Sequence, residues 1–164
     1  MSRTILAVLV VGALLAVLPA PAAAQAGPYQ YHSLTPCRVA DTRNATYDPN
    51  GPPILTGQTT RTFIVQSKCG VPTDAAAVSV NVTAVGPTGG GFLTLFPTGV
   101  TQPLVSSLNF AKGEPALGNG AIVPLGTYSA TAPYDLSIYA SVNPVAGVPT
   151  PTVHMVLDVT GYFK

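Results

Sequence analysis

The sequence predicts an all-β fold, a β-sandwich or jelly roll of about eight or nine short strands with one disulfide. Three observations carry this. β-Branched residues dominate the apolar set in the second and later parts of the chain. Hydrophobicity there alternates with a period of two, and no window holds a 3.6-residue period. Turn signals rich in Pro and Gly recur between the candidate strands. With 164 residues, 47% of them hydrophobic, the chain suits one domain with a sizeable core.

The elements follow in chain order. Arg3 gives a short positive start, and Ile5 to Leu18 forms an apolar run of about 14 residues. Pro19 and Pro21 end it, and Ala22 and Ala24 supply the small-residue pattern before a cut after Ala24 or Ala26. Residues 1–24 therefore read as a cleaved signal peptide, and the run is shorter than the roughly 20 residues a transmembrane helix needs. No later segment is long and apolar enough to span a membrane. The expected localisation is secreted and extracellular, with a single β-sandwich domain over 28–164.

Within that domain the clearest strand is Ala77 to Val85, where Val78, Val80 and Val82 oppose Ser79, Asn81 and Thr83. In Val153 to Val159, Val153, Met155, Leu157 and Val159 share a face opposite His154, Val156 and Asp158. Thr60 to Gln66 and Leu136 to Val142 also read as strands. Weaker candidates are Arg38 to Thr42, Phe92 to Phe96, Val105 to Phe110, Ala121 to Leu125 and Thr127 to Ala132. Breaks are expected at Asp48-Pro49-Asn50-Gly51, Pro87 to Gly91, Pro97 to Gly99, Gly118 to Gly120 and Pro144 to Pro151. Tyr162 and Phe163 are expected to close the core.

Charge narrows the function classes. Only 8% of residues are charged. Beyond the leader, Arg38, Arg43, Arg61, Lys68, Lys112 and Lys164 balance Asp41, Asp48, Asp74, Glu114, Asp135 and Asp158. A nucleic-acid binder needs a basic surface that displaces counterions, so no nucleic-acid partner is expected. Cys37 and Cys69 are the only cysteines, lie in the exported part and lack CxxC spacing. They read as one structural disulfide. Two buried thiols or part of a metal site are the alternatives, and a metal site needs more ligands than one pair supplies.

Several motifs lie in a specific order. Pro36-Cys37-Arg38-Val39-Ala40-Asp41-Thr42-Arg43 fits a P-x-R-x-x-D-T-R opening. Cys69-Gly70-Val71-Pro72, Ala76-Ala77-Val78 and Asn81-Val82-Thr83 form a middle motif, continued by Gly91-Phe92-Leu93-Thr94, Pro97 and Ser107-Leu108-Asn109-Phe110. Asp158-Val159-Thr160-Gly161-Tyr162-Phe163 gives a D-V-x-G-Y-F close. Together these resemble a β-rich module of bacterial secreted and cell-surface proteins. The resemblance spans nearly all of the chain after the leader and fits Thr127 to Pro151 least. It implies export, a β fold and an accessory or surface function. It also implies that the glycosylation patterns at Asn44 and Asn81 are unused.

The candidate site residues divide into three groups. Arg38, Asp41, Arg43 and Asp158 form the main ionic cluster. In a regular strand Arg38 and Asp41 take opposite faces while Asp41 and Arg43 share one. If the first and last strands are neighbours, Asp158 pairs with Arg38 or Arg43, which satisfies charges that are costly alone. An exposed guanidinium that binds a carboxylate or sugar is the functional alternative. Neighbouring arginines hold carboxylates ionised, against the raised pKa a general acid requires. His32 and His154 have no metal-ligand spacing, and a triad with Ser33, Ser106 or Ser107 lacks a G-x-S-x-G elbow. Tyr128, Tyr134 and Tyr139 are candidate ligand contacts, because tyrosine joins an apolar ring to a polar tip. Gly89-Gly90-Gly91 lacks the Lys and helix of a phosphate loop. Asp48, Asn50 and Gly51 lack the later acids of a calcium loop.

No catalytic, cofactor or metal site is therefore expected. The leading reading is a non-catalytic surface or extracellular module for adhesion, scaffolding or self-association. Its candidate partners are a cell-wall glycan or another surface protein, and a homo-oligomer is open. The competing reading is an exported hydrolase of cell-wall polysaccharide or peptide. It requires an open pocket that gathers Asp41, Asp158 or His154.

Overall fold

The computed structural model describes residues 28–164, so the signal peptide read over residues 1–24 lies outside the described residues. Nine strands form two antiparallel sheets packed as a sandwich. The first sheet runs in the order β1 (Tyr31–Asp41), β9 (Thr152–Phe163), β4 (Ala77–Val85) and β7 (Leu117–Pro124), and β2 (Leu55–Thr56) also pairs with β9. The second runs β3 (Thr59–Phe63), β8 (Leu136–Val142), β5 (Gly91–Pro97) and β6 (Leu108–Phe110).

The alternation in the sequence becomes the core. Val78, Val80, Val82 and Ala84 of β4 and Val153, Met155, Leu157 and Val159 of β9 are buried from the first sheet. Leu93 and Leu95 of β5 and Leu136, Ile138, Ala140 and Val142 of β8 are buried from the second. Each large aliphatic side chain withdrawn in this way stabilises the fold by about 1.5–3 kcal/mol before chain entropy is counted. Tyr162 packs against this core, whereas Phe163 stays at its margin and meets the exposed Tyr31 ring with centroids 5.2 Å apart. Cys37 and Cys69 form the disulfide, with Cα atoms 5.7 Å apart. It ties β1 to the segment between β3 and β4, a loop closure worth about 3–4 kcal/mol in the chain-entropy model.

The strands Ala77–Val85 and Leu136–Val142 have the bounds that alternation predicts. Three expectations are corrected. Gly118 to Gly120 is not a break but lies inside β7, paired with β4 at Asn81, Val82 and Thr83. A Cβ at Gly118 would come within 3.2 Å of the Asn81 side chain and 3.3 Å of the Thr83 hydroxyl, so the glycine marks close cross-strand packing. Thr127 to Ala132 is loop with one isolated bridge, Ser129 to Ala132, since no neighbouring strand takes its backbone. The strand expected to reach Gln66 stops at Phe63.

That early stop has a polar cause. The backbone amide of Ile64 donates to Asn50 Oδ1 at 2.9 Å, and those of Val65 and Gln66 donate to the Asp135 carboxylate at 2.8–3.2 Å. Side chains thus replace a ladder. Asn50, 1% exposed, also donates to the carbonyls of Val39 and Ile64 at 2.9 and 2.7 Å, joining β1 to the segment after β3. Its amide is a cross-sheet rivet whose polar atoms are satisfied, as a buried amide requires.

Asp135 is fully buried, and desolvation pushes its carboxyl up to about 6 against the pull of the amides that donate to it. The folded protein therefore binds this proton more tightly than the unfolded chain. Stability from the neutral form is present below the ordinary carboxylate range and is lost as pH rises through about 6. We predict that the stability of the parent protein minus that of Asp135→Asn falls between pH 4 and pH 7, by up to about 3 kcal/mol. Urea unfolding of both proteins across that range measures it, and a difference that grows with pH contradicts the assignment.

Candidate functional site

The outer face of the first sheet gathers most of the polar side chains singled out above. Register places them in rows across the strands. One row runs Arg38 on β1, Asp158 on β9, Asn81 on β4 and Gly120 on β7. A second runs Ser33, Gly161, Ser79 and Ile122, and a third Asp41, Val156, Thr83 and Gly118.

The ionic cluster sits at the β1 end of these rows. Arg38 grips Asp158 through two bonds, Nε to Oδ1 at 2.8 Å and Nη2 to Oδ2 at 3.2 Å. Its Nη1 lies 3.4 Å from Asp41 Oδ2. The expectation that Arg38 and Asp41 occupy opposite faces fails, because a bulge between Arg38 and Ala40 inserts an extra residue and returns both to one face. Asp41 is buried and receives Arg43 Nε at 2.8 Å, Arg43 Nη2 at 2.7 Å and the Arg43 backbone amide at 3.1 Å. The Arg43 hydrogen bonds hold its carboxyl below the usual range despite burial. The Asp158 contact raises Arg38, and the Asp41 contact raises Arg43. The cluster is thus a set of ionised, mutually satisfied groups.

His154 lies next to it on β9. Its Nδ1 is 3.1 Å from the Thr42 hydroxyl, which also accepts from the Met155 amide at 2.9 Å. Burial, aided by the Arg43 charge, lowers the imidazole below its ordinary value. Among the described residues no serine bonds to it: Ser33 pairs with Gly161 farther along β9, Ser107 Oγ accepts from the Leu95 amide, and Ser106 Oγ accepts from Asn109. Among the described residues no group of three or more His, Cys, Asp or Glu is placed to hold a metal ion.

The β4–β7 end of the rows is open. Ser79, Asn81, Gly120, Ile122 and Thr160 border a shallow groove of about 490 Å³. Ser79 Oγ and Thr160 Oγ1 share a hydrogen bond of 3.0 Å, and Asn81 Nδ2 donates to Thr83 Oγ1 at 3.2 Å. Tyr31, half-exposed, lies over Gly161 where a larger residue would collide with its ring, and its hydroxyl donates to the Thr160 carbonyl at 3.2 Å. An aromatic ring therefore flanks a floor of hydroxyl and amide groups.

The three tyrosines named as candidate ligand contacts are not brought together. Tyr139 lies on the outer face of the second sheet, with its hydroxyl on Gln58 Oε1 and its ring 6.2 Å from Phe92. Tyr134 borders a separate cleft with Pro97 to Val100 and Pro124 to Thr127. Tyr128 stands in the loop before it, and no two of the three are in aromatic contact among the described residues. Ser79, Gly120 and Thr160 were not singled out as a site from the sequence. The alternation that put Ser79 and Asn81 on the polar face was the one signal that pointed there.

No family model, no curated protein and no solved structure matches the chain.

The two carboxylates should respond differently to mutation. Asp158 and Arg38 are partly exposed, with 26% and 39% of their side chains accessible. A double-mutant cycle of Arg38→Ala and Asp158→Ala is predicted to give a coupling of about 0.5–1 kcal/mol. Asp41→Asn, which removes a buried carboxylate from its half-exposed arginine partners, is predicted to cost more, about 1–3 kcal/mol. Urea melts rank the two, and equal costs contradict the burial argument.

Proposed function

We propose that the protein is an exported, non-catalytic binding module that holds a neutral glycan against the outer face of its first sheet. The observation that carries the reading is the open groove of Ser79, Asn81, Gly120 and Thr160 beside the Tyr31 ring. Sugars offer hydroxyl groups to amide and hydroxyl partners, and their C–H faces pack on aromatic rings. The groove supplies both chemistries and contains no charged side chain in its lining.

The ionic cluster supports a binding role over hydrolysis. A general acid must hold a proton near neutral pH, whereas Asp41 is held ionised by arginine and Asp158 is clamped at both oxygens. Asp158 faces Asn81 across the sheet, so the ion pair lies in the same row as the groove, next to its Asn81 side.

Soluble neutral polysaccharides and their oligomers, titrated into the exported chain by calorimetry after a glycan-array screen, test this. Binding to at least one neutral glycan is expected. Tyr31→Ala and Asn81→Ala should each weaken it by about tenfold, the loss of one ring contact or one hydrogen-bonding amide. Absence of binding to every neutral glycan, or binding indifferent to both substitutions, refutes the proposal.

A further inference from the structure

Five strands lie at the edges of the two sheets: β1, β2 and β7 in the first, β3 and β6 in the second. An exposed edge is a template for another strand, and proteins blunt it with charge, bulges, proline or shortness. Four of these edges are blunted, β2 by having only two residues. β1 is bulged twice and carries Arg38 and Asp41. β3 has five residues with Arg61 at its centre, and β6 has three. β7 differs, having eight residues in a stretch without charge from Pro115 to Tyr134.

The direction of its backbone groups follows from the register. The Leu125 amide donates to the Ala76 carbonyl at 2.9 Å, in step with the β4–β7 pairing. Alternation then assigns Leu117, Asn119, Ala121 and Val123 to β4 and turns the N–H and C=O groups of Gly118, Gly120 and Ile122 to the free edge. Pro124 falls on the free side too, where its missing N–H costs β4 nothing and blunts the edge only beyond Ile122. Gly118, Gly120 and Ile122 are all exposed, Ile122 at 66%.

We propose that β7 docks on β7 of a second copy of this chain, antiparallel about a two-fold axis through Gly120. The pattern of residues is self-complementary in this register. Gly120 faces Gly120, and each Ile122 faces Gly118 of the other copy, which presents no side chain. The Ile122 side chain crosses the junction above that bare backbone and rests against the Asn81 and Thr83 side chains that flank it, which withdraws part of it from water. About six backbone hydrogen bonds form across the axis, two from each of three residue pairs. A closed two-fold contact uses up both free edges and stops at the dimer. The row Arg38, Asp158, Asn81 and Gly120 then continues into its copy, so that one sheet spans both molecules. This proposal stands without the glycan reading, since it rests on the edge and not on the groove.

Sedimentation of the exported chain over a range of concentrations tests the association, and site-directed cross-linking tests the register. The parent protein should sediment as a dimer. Ile122→Lys puts a charge on an exposed edge position and should raise the dimer dissociation constant at least about tenfold. Gly120→Cys should form a disulfide-linked dimer under oxidation, because a hydrogen-bonded antiparallel pair holds its Cα atoms about 5.5 Å apart. A Cβ at Gly120 meets nothing within 4 Å, so the substitution fits the fold. Ile122→Cys is the control: its copies lie about 13 Å apart along the strands and should not link. A monomer at all concentrations, a dimer that survives Ile122→Lys, or equal linkage of the two cysteine variants overturns the proposal. Circular dichroism of each variant establishes that a negative result is not a failure to fold.

Discussion

The pairing of β9 with both β1 and β4 is the constraint on which the rest of the structure depends. β9 is twelve residues long and lies inside the first sheet, so its alternation is read on both faces at once. Val153, Met155, Leu157 and Val159 point into the sandwich, and the opposite parity carries His154, Asp158 and the approach to Thr160. A one-residue slip would put an aspartate into the core and four aliphatic side chains into water. The two bulges of β1 are accommodated around this strand, and β9 itself takes Thr160 as an extra residue opposite Ser79 and Val80. They let Arg38 meet Asp158 and let Tyr31 settle over Gly161.

The sparse charge has a physical counterpart in the way each buried or half-buried ion is matched. Asp41 and Asp158 take arginines. Asp135 takes backbone amides instead, and lacking a cation it is the one carboxyl pushed upward. Arg61 has no acid. Its guanidinium donates to the carbonyls of Pro49, Pro52 and Pro53 at 2.6–3.2 Å and lies 4.8 Å from the Phe63 ring centre. Proline has no N–H and keeps its segment out of any ladder, so those carbonyls need an outside donor, and a planar fork with five N–H groups supplies it. Desolvation lowers this arginine from its ordinary value, which marks the cost of the arrangement. Charges spent in this way hold loops to strands and leave the polar face to hydroxyl and amide groups.

Periodicity made β4, β8 and β9 legible, because a strand buried on one face writes its pattern into consecutive residues. That Asp158 pairs with Arg38 or Arg43 was also readable, as soon as the ends of the domain were taken as neighbours, and the structure selects Arg38. Its geometry with Asp41 was not, since a bulge is set by tertiary pairing and leaves no fixed mark in the residues it displaces. Asn50 and Asp135 escaped for a different reason. Each looks like an ordinary turn residue, and only the arrival of Ile64, Val65 and Gln66 from elsewhere makes it a buried acceptor. The three late tyrosines are close in sequence and not in space. Tyr134 and Tyr139 are five residues apart, yet one borders a cleft at the end of β7 and the other lies on the outer face of the second sheet.

The glycines of β7 connect the groove to the edge. At ordinary strand positions Gly118 and Gly120 would weaken β7 by about 0.5–1 kcal/mol each relative to alanine. Packing explains Gly118, whose place beside Asn81 and Thr83 leaves little room. Packing does not explain Gly120, since a side chain there would meet nothing. A bare residue at that position does two things that a larger one would hinder. It keeps the floor of the groove level with the hydroxyl groups of Ser79 and Thr160, and it leaves the midpoint of an uncharged edge clear for another strand. Both follow from one missing side chain in the middle of β7, which is why the open face and the open edge occur on the same strand.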